Sequence, residues 1–168
     1  MLITKIIAKN FKTYRELDLD LTVNEEQPII LIGGENGGGK TTLFQAIYSA
    51  LYGLKVKDEQ HFNKLQNAGE RAKSSGNSSN KIELEIHFTG KVLHNDYKYI
   101  IKRLYTLNAQ NNPVEAVMLN LNGDIFNYGT ATPHAERVKK EAEVNKIIKA
   151  NLPQELSKYF LFDAMEAG

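Results

Sequence analysis

The chain has 168 residues, 42% hydrophobic and 24% charged, which is one domain's length with enough apolar side chains for a core and excludes a wholly disordered chain. With 21 basic and 20 acidic residues the net charge is +1, so a nucleic-acid partner would have to be met by a local basic patch. The absence of cysteine excludes disulfides, thiol catalysis and Cys-ligated metal centres and fits a cytoplasmic protein; no apolar run approaches the roughly 20 residues of a membrane-spanning helix.

Residues 2–9 read as an Ile-rich strand and 10–15 as a polar turn. Leu17, Leu19 and Leu21 alternate with Asp18 and Asp20, a period of two that predicts a strand wet on one face. The run 28–33 is continuously apolar, as in a strand covered on both faces. A glycine-rich stretch, 33–39, precedes a helical pattern of Leu43, Ile47, Ala50 and Leu51 that Gly53 stops. Residues 69–80 carry almost no apolar side chain and read as a mobile loop.

Further on, Ile82, Leu84, Ile86 and Phe88 alternate with polar residues, 97–107 is strand-like, and Asn122-Gly123 is a hairpin signal between two more strands. The section 81–128 therefore reads as antiparallel β. Thr132 as N-cap and Pro133 at the first position open a helix that runs to about Ala150. The last apolar segment is Tyr159-Phe-Leu-Phe-Asp163.

Gly34-Glu-Asn-Gly-Gly-Gly39-Lys40-Thr41 fits the pattern of a phosphate-binding loop, G-x-x-x-x-G-K-[ST]. Phosphate is anionic and is met by backbone N–H groups at a helix N-terminus; glycines let the backbone wrap it closely. In such a loop Lys40 reaches the β- and γ-phosphates and the Thr41 hydroxyl ligates magnesium. An apolar strand before the motif and a helix after it are the arrangement this chemistry needs.

The chain resembles the heads of the SMC-like ATPases, the group of SbcC and RecF. The resemblance rests on Asn10-Phe11-Lys12-Thr13-Tyr14 after the first strand, on the phosphate loop standing close to the N-terminus, and on Asn36-Gly37 within it followed by Thr41-Thr42-Leu43. Within that group it is most similar to the DndD-type ATPases of DNA phosphorothioate modification, through Gly33 to Leu43, Ala50 to Gly53, the 81–128 section, and Leu152-Pro153 before Phe160 to Asp163. Lys12 stands where the group usually has Arg or Gly, and Ala164-Met165-Glu166 where it has Gly-Glu.

The resemblance implies an α/β P-loop NTPase fold, the N-terminal lobe of an ABC/SMC-type head with an added antiparallel β section. It divides into a phosphate-loop core (1–60), with a parallel sheet around the helix, the loop 69–80, the β section 81–128, and a helix with a Q-loop-like segment (132–168). It implies ATP and magnesium as cofactors, with Asn36, Gly37, Gly38, Gly39, Lys40, Thr41 and Thr42 on the nucleotide and Lys12 reaching its phosphates. Lys40 carries the catalytic role. Coiled coil, signature motif and catalytic acids are expected in a C-terminal lobe outside these residues, so these residues alone should hydrolyse little ATP. The partners it implies are that lobe, a second head, DNA, and other proteins of a modification or defence system, with no membrane.

Asp163 has two functional readings, a Walker B acid holding magnesium through water or a Q-loop equivalent, beside the plain one of a core strand ending in a solvated acid; Glu166 is the other candidate acid for the metal. The second reading is favoured because no Ser-Gly-Gly signature precedes the segment. Arg15 is an alternative phosphate donor to Lys12. His61, His87, His94 and His134 lack ligand spacing. Tyr97, Tyr99 and Tyr105 are either a stacking platform or half-buried packing, and Lys98, Lys102 and Arg103 either touch duplex phosphates or form a solvated strand face. Lys139, Lys140, Lys146 and Lys149 read as the wet side of their helix. Two other functions share the loop: a nucleotide-dependent interaction module without catalysis, and a small-molecule kinase, which would need a lid of clustered arginines.

Overall fold

Among the described residues the period-two alternation builds a single antiparallel sheet. A computed structural model describes residues 2–21, 38–73 and 80–151. Its strands are β1 (Leu2–Phe11), β2 (Tyr14–Asp20), β3 (Ile82–Val92), β4 (Asn95–Leu107), β5 (Pro113–Leu121) and β6 (Asp124–Gly129), in the order β2-β1-β3-β4-β5-β6.

Register sets which side chains share a face. Ile6, Ile86, Ile101, Leu119 and Phe126 stand in one cross-strand row, and Ala8, Leu84, Arg103, Val117 and Tyr128 in the next. These rows line the buried face, and most of their members are under 3% exposed. Each buried Leu or Ile contributes about 1.5–3 kcal/mol relative to staying in water.

The helix α1 (Gly38–Tyr52) lies across β3, β1 and β4 on that face. Leu43, Ala46, Ile47, Ala50 and Leu51 bury its apolar stripe, as the helical spacing predicts. The helix α4 (His134–Asn151) docks beside β6 and contributes Val144 and Ile148 to the same core. Two short helices, α2 (Glu59–Leu65) and α3 (Ala68–Lys73), stand between α1 and β3 in the chain.

Several expectations change. The parallel sheet expected around the phosphate-loop helix would be built on the run 28–33, which lies outside the described residues; among those described, α1 packs on antiparallel strands, and the 2–9 and 17–21 strands belong to the same sheet as β3–β6. Residues 10 and 11 continue β1, leaving only Lys12 and Thr13 to turn the chain, because Phe11 is fully buried and pairs with Tyr14. Part of the expected 69–80 loop is helical: the Asn67 side-chain oxygen accepts the Gly69 and Glu70 N–H groups and caps α3. The last helix begins later than read. Pro133 C=O accepts the Arg137 N–H, whereas the Thr132 hydroxyl accepts the Gly129 N–H.

The β5–β6 turn is the Asn122-Gly123 pair, both at positive φ as a type I′ turn requires. The β3–β4 turn uses Leu93 and His94 at φ 50° and 76°, a conformation costly for residues with a Cβ. Leu93 is 88% exposed, so nothing repays it by packing. Replacing Leu93-His94 with Asn-Gly should stabilise the protein by about 1–2 kcal/mol, seen as a rise of roughly 2–6 °C in a thermal melt.

Candidate functional site

The site is built on α1. The helix starts at Gly38, so Gly38, Gly39, Lys40 and Thr41 form its first turn, where unpaired backbone N–H groups gather partial positive charge. That turn holds no acidic residue, which suits an anion. Thr42 follows and is buried at 6% exposure. Asn36 and Gly37 lie outside the described residues, as do Asp163 and Glu166.

Lys12 is brought to this helix from the β1–β2 turn. Its ammonium donates to the Gln45 side-chain oxygen, four residues beyond Thr41 and on the same helix face. Four residues are about 6 Å along the axis, so the residue that holds the cation stands roughly one turn beyond Thr41 and two turns from the start of α1 at Gly38. It also lies over the Phe11 ring, 5.6 Å from its centre. Burial lowers the Lys12 pKa, because the ammonium form loses hydration there; an anionic ligand alongside would reverse that shift.

The backbone of Lys12 is held in a left-handed conformation, φ 51°, from both sides. Its N–H donates to Leu65 C=O (2.8 Å) and its C=O accepts from the Asn67 side chain (3.0 Å). Asn10, itself at φ 56°, anchors this arrangement: its side-chain oxygen accepts the Asn67 N–H, and its amide donates to Gln66 and to Lys81 C=O. The amides of Asn10, Gln66 and Asn67 thus fix the lysine against the helix. Sequence reading missed the part played by α2 and Asn67; the signal for α2 was Asp58, whose carboxylate caps it by accepting the His61 N–H at 2.7 Å.

The far end of α1 is held as firmly. Gly53, at φ 90°, donates to Ser49 C=O and ends the helix. Arg103 satisfies the next two carbonyls: Nε donates to Ala50 C=O and Nη2 to Leu51 C=O, each at 2.8 Å. Arg103 is therefore neither a duplex contact nor part of a solvated face; at 3% exposure it is buried against the helix. Lys98 and Lys102 stand on the opposite face of β4, where Lys102 is paired across the strands with Glu85 and Met118.

The other candidates resolve as packing or local bonds. Tyr99 and Tyr105 are buried, and Tyr99 stacks on Phe88 with ring centres 5.0 Å apart. Arg15 pairs with Glu70 on α3 at 3.0 Å. His87 lies 2.8 Å from Glu85, and His61 accepts the Lys57 N–H. Among the described residues no His, Asp and Glu cluster could hold a metal, and no helix is long and apolar enough to cross a membrane.

A family model described as an AAA domain matches residues 5–166. No curated protein matches the chain. Because that match spans nearly the whole sequence and takes in the helix that opens with Lys40 and Thr41, the chain belongs to the AAA domain family, as an ATPase of the SMC/RecF-like type.

Proposed function

We propose that these residues form the ATP-binding lobe of an SMC-like ATPase, completed by a C-terminal lobe and by a second head. The observation that carries this reading is the position of the Gly39-Lys40-Thr41 motif in the first turn of a helix locked onto the sheet, with Lys12 tied to the same helix. The amides of 36–39 and Lys40 would hold the phosphates, Thr41 a magnesium ion, and Lys12 an outer phosphate oxygen. Asp163 or Glu166 would complete the metal's surroundings. Bound magnesium would offset phosphate charge; the chain's own part is to orient the nucleotide.

The setting we propose is ATP-driven head dimerisation acting on DNA, in phosphorothioate modification or a related bacterial defence or repair system in the cytoplasm. The open face of the sheet supports only a weak DNA contact by this lobe alone. It carries Lys5, Lys9, Lys98 and Lys102 against Glu16, Asp18, Asp20, Glu83 and Glu85, with Lys5 paired to Asp18 at 3.5 Å and Lys9 to Glu83 at 3.9 Å. Duplex binding should be weak, independent of sequence and lost as salt rises, because it would rest on phosphate contacts alone. A fluorescence-anisotropy titration checks this, and tight binding that persists at high salt would contradict it.

A small-molecule kinase is disfavoured by the arginines. Arg15 is paired with Glu70, Arg137 with Glu141, and Arg103 is buried, so three of the chain's four arginines are engaged within the fold. A phosphate-release assay tests the lobe reading. Magnesium–ATP should bind and be hydrolysed negligibly by the 168 residues alone; robust turnover would overturn the reading and make Asp163 a true Walker B acid.

A further inference from the structure

Arg103 is the one buried charged side chain among the described residues. Taking a guanidinium out of water is costly unless its donors are met. Here they are met by the end of a helix and by the neighbouring strands. Nε and Nη2 hold Ala50 and Leu51 C=O, and Nη1 lies 3.9 Å from Glu115 Oε2. The same carboxylate accepts the Tyr105 hydroxyl at 2.6 Å, and that hydroxyl oxygen accepts the Leu54 N–H at 2.8 Å. Strands β4 and β5 therefore grip the last turn of α1 and the residue beyond Gly53.

A helix end needs a cap, and Gly53 already begins one. A planar fork on two successive carbonyls does more. It fixes the rotation of the helix as well as its position along its axis, which a lysine's single point of contact does not. The helix is 15 residues long, about 22 Å, and the phosphate-loop residues stand at its other end. We propose that Arg103, backed by Glu115, is a positioning residue for nucleotide binding: from β4 it sets where the first turn of α1, with Lys40 and Thr41, meets the phosphates. This rests on the reading of α1 as the nucleotide helix.

The test uses the 168-residue chain with Arg103→Lys, Arg103→Met, Glu115→Gln and, as a control, Val117→Ala, which thins the same buried row beside Arg103 while removing none of the hydrogen bonds to α1's end. Magnesium–ATP affinity is measured well below each melting midpoint. Arg103→Lys and Arg103→Met should weaken binding by about tenfold or more, since small misplacements of binding groups are expensive. Glu115→Gln should weaken it less and Val117→Ala by less than about twofold. Amide exchange without nucleotide gives a second readout: the Arg103 variants and Glu115→Gln should speed exchange at 42–47 as well as at 49–54.

Unchanged affinity in the Arg103 variants, or an equal loss in Val117→Ala, overturns the proposal. So does faster exchange confined to 49–54, which would leave Arg103 a local cap. If the wild-type chain binds no nucleotide, the nucleotide reading fails while the exchange pattern still decides whether Arg103 sets the helix. If the Arg103 variants do not fold, Glu115→Gln decides: wild-type affinity and exchange would overturn the proposal.

Discussion

Phe11→Ala should lower the melting midpoint by about 10 °C or more. Phe11 is wholly buried, and truncating a buried Phe costs about 3–5 kcal/mol through lost transfer energy and the cavity left behind. Against a total stability of roughly 5–15 kcal/mol, that is a large fraction. The residue also sits between Asn10 and Lys12, both left-handed, and its ring underlies the lysine ammonium. The variant should therefore loosen the turn that holds Lys12 against Gln45 and weaken magnesium–ATP binding as well. Phe88→Ala is the comparison. Phe88 is 1% exposed and stacked on Tyr99, away from the turn, so it should match the stability loss and keep the affinity. Equal effects of the two on affinity would show that Lys12 has no part in binding.

Lys40→Ala should abolish the stabilisation that nucleotide gives. A ligand at about 100 times its dissociation constant stabilises a fold by roughly 2.7 kcal/mol, or about 5–10 °C here. The substitution removes the positive side chain of the loop motif in the first turn of α1, so the shift should vanish while the ligand-free midpoint barely moves. Thr41→Ala should reduce the shift chiefly when magnesium is present. Thermal melts with and without ATP and magnesium check both variants; a full shift in Lys40→Ala would remove the loop from the site.

The sheet was legible where one face is buried and the other wet. Ile82 to Phe88 alternates cleanly and forms β3, and Asn122-Gly123 announces its own turn. The β3–β4 turn was hidden, since Leu93-His94 adopts a glycine-like conformation without the residues that signal it. The short helices were hidden too: seven and six residues give too few turns for periodicity to register, and only their caps, Asp58 and Asn67, mark them. Arg103 was misread because charge suggested solvent. Its parity told otherwise, since it shares the inward face of β4 with Tyr99, Ile101 and Tyr105. For the site, the motif gave the chemistry of Lys40 and Thr41, but sequence spacing holds no trace of the hydrogen bonds that bring Lys12 to α1 from 33 residues before Gln45.

Calorimetric titration of the folded chain with magnesium–ATP tests nucleotide binding at α1 most directly. Saturable binding at one site per chain, absent in Lys40→Ala, is the expected result. A flat titration of a well-folded wild-type sample would contradict the account.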